Sequence, residues 1–310
     1  MGINRDILIP SFGRHETFHP RYGWLKKAYD RIVEDPRAFR ADNRTVRFGV
    51  GKNMVNAIKF WSLAFKITEE RKDGLGVTET GSMIFGSDGL DPYLERSETL
   101  WLLHWLLFAP PCRIPTWWMI MNRIPGTVVL TERIYDAAQE CVRNFPNWDP
   151  PSPASVKRDV DVFLHTYTSR RDKLTIEEYI DCPFRNMRLA RHNGGTVRFT
   201  YGPKPGLSPE VVAFACTDFV NMTGSSRDAS VARMSVESGG PGNIFKMNEN
   251  DLVAALESAS IQTGLVSLIQ INGVPHLRFP NGIKKASSEL LRHIYKNRTK
   301  MQCIQAETVP

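Results

Sequence analysis

The chain has 310 residues, 42 % apolar and 24 % charged, which excludes a wholly disordered polymer and is enough for two or three compact bodies. Five scattered cysteines (Cys112, Cys141, Cys182, Cys216 and Cys303) form no Cys-x-x-Cys pair, which excludes a structural zinc site and fits reduced thiols in the cytoplasm. The net charge is +7, and the first 75 residues hold fifteen Lys or Arg against nine Asp or Glu, an excess of six. Positive charge gathered in one quarter of a chain suits a polyanion, because neutralising phosphates releases counterions.

Met1 to Pro10 is too short and polar for a secretory leader. The most apolar run, Leu100 to Pro111, is interrupted by His104 and ends in two prolines, short of the roughly 20 residues that a membrane span needs. A soluble cytoplasmic protein is expected.

In chain order, Gly23 to Ile32 reads as a helix with Trp24, Ala28 and Ile32 on one stripe, and Pro36 to Arg40 as a short second helix. Gly49-Val50-Gly51 is a turn, Lys52 to Ile67 a long amphipathic helix, and Gly74 to Phe85 a hairpin. Three helices and a hairpin is the order of a winged helix, whose third helix enters the major groove. Helices follow at Tyr93 to Phe108 and Thr131 to Asn144, with the apolar segment Trp117 to Met121 between them. After the Pro150–Pro153 linker, Ser155 caps a helix through Thr166, and Leu174 to Ala190 is helical in parts. Gly195 to Tyr201 alternates like a strand, and Leu207 to Met222 and Asn248 to Ser260 read as helices. Leu265 to Phe279 is a hairpin turning at Asn272-Gly273, and Lys284 to Lys296 closes the chain. The expected architecture is α+β and mostly α. It has a basic winged-helix-like module over 1–91, a helical middle over 92–150, and an α+β region over 151–310 in which further winged-helix-like units can recur.

His15-Glu16-Thr17-Phe18-His19 spells the His-Glu-x-x-His pattern of zinc proteases, which needs both histidines on one helical face. Gly13 before it and Pro20 after it put it in a loop instead. Gly49-Val50-Gly51-Lys52-Asn53 lacks the remaining residues of a nucleotide-binding P-loop. A Gly-x-Gly turn opening a helix beside Lys52 still suits a single phosphate, including one of DNA. Lys157-Arg158-Asp159-Val160-Asp161 sets two carboxylates two apart, so on a helix Asp159 and Asp161 diverge and do not jointly chelate one metal. His104, between Leu103 and Trp105, reads as a core histidine.

Several stretches together resemble one family. They are Phe12 to Phe18, Arg21 to Lys27, Gly49 to Val55, Leu100 to Trp105, Lys157 to Asp161, Asp181-Cys182-Pro183, and Gly240 to Lys246. They resemble the SspB family, DNA-nicking components of single-strand phosphorothioation systems in prokaryotic antiphage defence. The resemblance implies work on double-stranded DNA alongside a cysteine desulfurase, an ATPase and an ATP-pyrophosphatase-like protein. It does not say which residues cut. From residue type alone, His15, Glu16 and Lys52 are the catalytic candidates. Arg14, Arg21, Lys26, Lys27, Lys52, Asn53 and Lys59 are the DNA-binding candidates. Glu16, Asp159 and Asp161 are candidates for a divalent ion such as magnesium. The alternative is a non-enzymatic DNA-binding adaptor that recruits the sulfur-transfer enzymes.

Overall fold

Large aromatic side chains have to be buried somewhere, and in the first two-thirds of this chain they bury against one another. The computed structural model describes residues 8–143, 148–168, 181–224 and 228–306, with side chains described as far as 295. The chain divides into two units, Met1–Thr200 and Tyr201–Pro310, so the boundaries read at 91 and 150 both fall inside the first.

The first unit opens with α1 (Trp24–Glu34), which buries the stripe Trp24, Leu25, Ala28 and Ile32. A 3-10 turn (Ala38–Arg40) leads to the short α2 (Arg44–Phe48), stopped by Gly49 at φ 64°, and to α3 (Lys52–Ala64). The hairpin lies earlier than the composition suggested, as β1 (Thr68–Arg71) paired antiparallel with β2 (Gly74–Val77). Thr78 then accepts the Gly81 N–H through its side chain and starts a helix, α4 (Glu79–Phe85), where strand was expected. The order of three helices and a hairpin is therefore present. However, α3 buries Ala57, Ile58 and everything from Phe60 to Ala64, and exposes only its start at Lys52 and Asn53. A helix lying along a groove keeps one face open over its length, and α3 does not.

Helix α5 (Ser97–Phe108) is buried from Thr99 to its end, as a helix apolar on all sides must be. It begins later than Tyr93 because the Asp91 carboxylate takes the N–H groups of Glu95 and Arg96 at 2.9 and 3.0 Å. Around it stand α6 (Pro115–Arg123), α7 (Thr131–Arg143) and α8 (Pro153–Tyr167). The cap of α8 is Ser152, one turn before the expected Ser155, whose N–H it accepts. A three-stranded antiparallel sheet, ordered β3 (Val128–Leu130), β5 (Thr196–Phe199), β4 (Ala190–Asn193), closes the unit. Of the stretch expected to be partly helical, 174–180 lie outside the described residues, and Pro183–Met187 forms a 3-10 turn. Trp61, Trp101, Trp105, Trp117 and Trp118 are all at most 1 % exposed. Trp61 meets Trp117 at 5.4 Å and Trp117 meets Phe163 at 5.4 Å, tilted and edge-on as ring quadrupoles prefer. No described helix is long and apolar enough to cross a membrane.

The second unit runs α9 (Pro209–Met222), β6 (Asp228–Ser230), α10 (Val231–Val236), α11 (Pro241–Phe245), α12 (Glu249–Thr263), β7 (Ser267–Ile271), β8 (Val274–Arg278) and α13 (Ile283–Ala306). Its antiparallel sheet is ordered β6-β8-β7. The β7–β8 turn falls on Asn272 and Gly273, both at positive φ (51° and 78°), as a two-residue hairpin loop requires. Two lysines are buried here. Lys204 donates to the carbonyls of Gly202 and Lys246, and the Lys246 ammonium lies 6.0 Å from the centre of the Tyr201 ring. Burial pushes both lysines down to about 8.

That depression has a sign. Between about 8 and the ordinary lysine value of 10.5, the unfolded chain holds more protons than the folded one. The lysines' contribution to stability therefore rises with pH through this window, and their burial cost is full below it. Lys246→Met should be more stable than the parent at pH 7, by on the order of 2 to 3 kcal/mol. The advantage should shrink as the pH is raised toward 10. Denaturant midpoints of both proteins at pH 7 and 9.5 measure it, and a gap that stays constant would mean the ammonium keeps its water.

Candidate nucleic-acid interface

The loop between Pro10 and Pro20 turns sharply, with Gly13, Glu16 and Thr17 all in the left-handed region at φ 65°, 52° and 68°. The His-Glu-x-x-His motif therefore lies in a turn, and its histidines do not share a helical face. His15 is 1 % exposed. Its Nδ1 accepts the Thr17 N–H at 3.2 Å, so Nε2 carries the proton and donates to Asp159 Oδ1 at 2.9 Å. The same carboxylate oxygen accepts the Gly13 N–H at 2.8 Å, and Oδ2 accepts the Thr116 hydroxyl at 2.7 Å. Trp117 Nε1–H donates to the Asp159 carbonyl at 2.8 Å. The His15 ring stacks on Trp61 and meets Phe60 edge-on, both at 6.0 Å.

Glu16 turns the other way. Its carboxylate accepts from Asn56 Nδ2 at 3.2 Å, and Asn56 stands one turn along α3 from Lys52. The loop thus brings Glu16 to the first turns of α3, where Lys52 and Asn53 are exposed and no side chain caps the helix. The free backbone N–H groups and the Lys52 ammonium there make a competent phosphate contact. His15 lies deeper, against Phe60 and Trp61, with both ring nitrogens engaged. Its geometry is that of a positioning residue, while Glu16 and Lys52 share the open side.

The expected DNA-binding cations divide in the same way. Arg14 is exposed, and Arg158 packs against the preceding Gly13, its Nη2 3.7 Å from where a Cβ on that glycine would stand. Among the described residues, no carboxylate pairs with Arg14, Lys52 or Lys59. Arg21 is held by Asp181 at 3.3 Å and lies over the rings of Phe18 and Trp24. Lys26 pairs with Asp30 at 2.5 Å, and Lys27 donates to the Phe48 carbonyl at 3.0 Å, closing the end of α2. These three spend their charge within the unit.

As metal ligands, the candidates differ. Asp159 is 1 % exposed and its carboxylate already accepts three hydrogen bonds, two on Oδ1 and one on Oδ2. Asp161 faces away from it and accepts the Tyr135 hydroxyl at 2.6 Å. It lines a groove of about 530 Å³ together with Glu132, Lys157 and the Gly194-Gly195 turn. No three His, Cys, Asp or Glu side chains among the described residues converge on one point. An all-protein cage is thus not formed. Magnesium needs less, since it keeps several waters and takes one or two carboxylates plus a substrate phosphate. Glu16 alone, or Glu132 with Asp161, fits that demand. The sequence reading missed Glu132 and Tyr135, although the i, i+4 spacing of Lys157 and Asp161 already put those two on one face of α8.

Other motif residues are structural. His104 is fully buried with its Nδ1 2.8 Å from the Tyr167 hydroxyl, a satisfied core histidine as expected. Burial pushes the Cys182 and Cys112 thiols up to about 11, far from a nucleophile's range.

The chain resembles known proteins along most of its length. It belongs to the family described as a protein of unknown function (DUF4007), whose profile matches residues 12–295. Two solved structures are similar to it, an SspB crystal structure and a magnesium ion-bound SspB crystal structure, each with 33 % sequence identity and a TM-score of 0.86. The match covers 94 % of this chain and 90 % and 89 % of theirs. No curated protein matches the chain.

If Asp159 is the post that holds the loop, Asp159→Ala should cost about 3 to 5 kcal/mol, because it strands three donors at once, two of them buried. Asp159→Asn, which keeps one acceptor oxygen, should cost less. Thermal melts of the parent and the two variants rank them, and variants that melt at the parent's temperature would show that the carboxylate is not needed.

Proposed function

We propose that this chain is the DNA-nicking component of a DNA phosphorothioation system, holding duplex DNA by its backbone and opening one strand so that sulfur can replace an oxygen. The observation that carries this reading is the likeness to SspB along 94 % of the chain. The site chemistry is compatible with it. Lys52 and the start of α3 supply phosphate contacts, Arg14 and Arg158 extend the cationic surface, and Glu16 stands beside them as the carboxylate that orients water or a magnesium ion. His15 acts through the loop it pins. The cysteine desulfurase, the ATPase and the ATP-pyrophosphatase-like protein are the expected partners, in the cytoplasm.

A second reading, a DNA-binding adaptor without cutting activity, is favoured by the lack of any three-ligand metal cluster among the described residues. The two readings separate in one assay. With magnesium, the full chain should convert supercoiled plasmid to open circle, and EDTA should stop it. Glu16→Gln should slow nicking by about 10²-fold or more while leaving DNA affinity near the parent's. Lys52→Ala should weaken binding to all sequences alike and reduce the slope of log affinity against log salt by about one unit. Asp161→Asn in the neighbouring groove is the control, and loss of nicking there alone would move the carboxylate role from Glu16 to Asp161. A parent protein that binds DNA but does not nick it with any divalent metal would leave the adaptor reading.

A further inference from the structure

A second cationic site lies in the first unit, lined by residues from the 3-10 turn, α3 and the β1–β2 hairpin. Arg40, Lys59 and Arg71 line a cavity of about 120 Å³ whose walls include Phe39 and Leu75. Only Lys59 figured among the residues read from sequence as DNA-binding. We propose that this cavity is a binding site for a single phosphate group carried as a monoester, of the kind that ends a cut DNA strand. This rests on the nicking reading only in taking the strand end as the source of the phosphate.

Three observations carry it. First, the charges are available. Among the described residues, neither Arg40 nor Lys59 has a carboxylate partner, and the acid that lines the cavity, Glu70, is paired through Oε2 with Arg113 at 2.9 Å. Arg71 is held by Glu69 through Nε and Nη2 at 3.0 and 2.9 Å, which leaves Nη1 for a ligand.

Second, the cavity is built. The Arg71 guanidinium lies over Gly76, its Nε 2.1 Å from where a Cβ there would stand, so the glycine lets the cation pack against the hairpin. Gly74, which also lines the cavity, sits so close to the Pro36 carbonyl that a Cβ there would be 2.3 Å from its oxygen. The hairpin is therefore tied to the segment before the 3-10 turn, and Leu75 N–H donates to the same carbonyl at 2.9 Å.

Third, the size fits. About 120 Å³ has room for a tetrahedral oxyanion. An internal phosphodiester carries chain on both sides and cannot enter end-on. A monoester presents three free oxygens to three cations, the arrangement in which charge-assisted hydrogen bonds are strongest.

The test uses the full chain and two probes at matched ionic strength. Inorganic phosphate is titrated calorimetrically into the parent and into Arg40→Gln/Lys59→Gln. Both replaced side chains are at least partly solvent-exposed, so the double variant should melt like the parent. Phosphate should bind the parent, and its Kd should rise at least tenfold in the double variant. The second probe is a short oligonucleotide duplex with a 5′-phosphate, compared with the same duplex ending in a 5′-hydroxyl. A preference for the phosphorylated end that the double variant loses identifies the strand terminus as the source. Phosphate binding without end preference identifies the free anion as the source and keeps the site. Failure of both probes to distinguish parent from variant overturns the site. Plasmid nicking is read separately, so a parent that binds phosphate but never nicks refutes the function and not the cavity.

Discussion

The buried carboxylate of Asp159 is the contact on which the candidate interface depends. A carboxylate at 1 % exposure must be satisfied by donors, and Asp159 draws them from the loop (Gly13 and His15) and from α6 (Thr116). Its own backbone carbonyl takes the Trp117 indole. One residue of α8 thereby fixes a loop 144 positions away in sequence. Because the loop is held by His15 and Gly13, its intervening residue Arg14 is turned to solvent and the following Glu16 toward α3. The left-handed conformation at Glu16 and Thr17 is the backbone cost of that reversal, and the buried hydrogen bonds together with the stacking of His15 on Trp61 offset it.

The positive surface is produced by subtraction. Most of the cations in the first 75 residues have a partner close at hand. Arg31 pairs with Glu34 and Arg47 with Asp35, where the Arg47 guanidinium holds the Asp35 carboxyl below its ordinary range. Lys26 and Arg21 are also paired. Among the described residues, what stays unpaired is Arg14, Arg40, Lys52, Lys59 and Lys72. A bulk excess of charge says only that a polyanion is welcome. Which cations can release counterions depends on the pairing, and the pairing is a tertiary property.

This division also explains how far the sequence could be read. Elements whose signals are local were legible. The Asn272-Gly273 turn, α1 with its Trp24–Ala28–Ile32 stripe, and α3 from Lys52 all stand where short-range pattern put them. The first hairpin lies earlier than its composition suggests because Gly74 closes the turn and opens β2, while Thr78 caps a helix. The Ser152 cap was passed over for Ser155 because both residues are serines and the choice rests on Pro153 occupying the first helical position. The Asp159 contacts were not legible at all. Lys157-Arg158-Asp159 looked like a charged helix start, and nothing within a few residues of Asp159 announces His15 or Thr116.

Element order alone would have pointed elsewhere for a DNA contact. The second unit has helix, strand, helices and a hairpin in succession, with α12 placed before the hairpin as a groove-reading helix would be. Yet α12 contains no Lys or Arg, while Glu249, Asp251 and Glu257 lie along it, and Ile261 near its end is 87 % exposed. A phosphate backbone approaching that surface would meet like charge and release no counterions. The first turn of α3 is the reverse case, since it belongs to a helix too buried to enter a groove but ends in exposed N–H groups, a lysine and an asparagine. Charge and exposure, more than the succession of helices and strands, therefore favour the start of α3 over the face of α12 for the proposed phosphate contact.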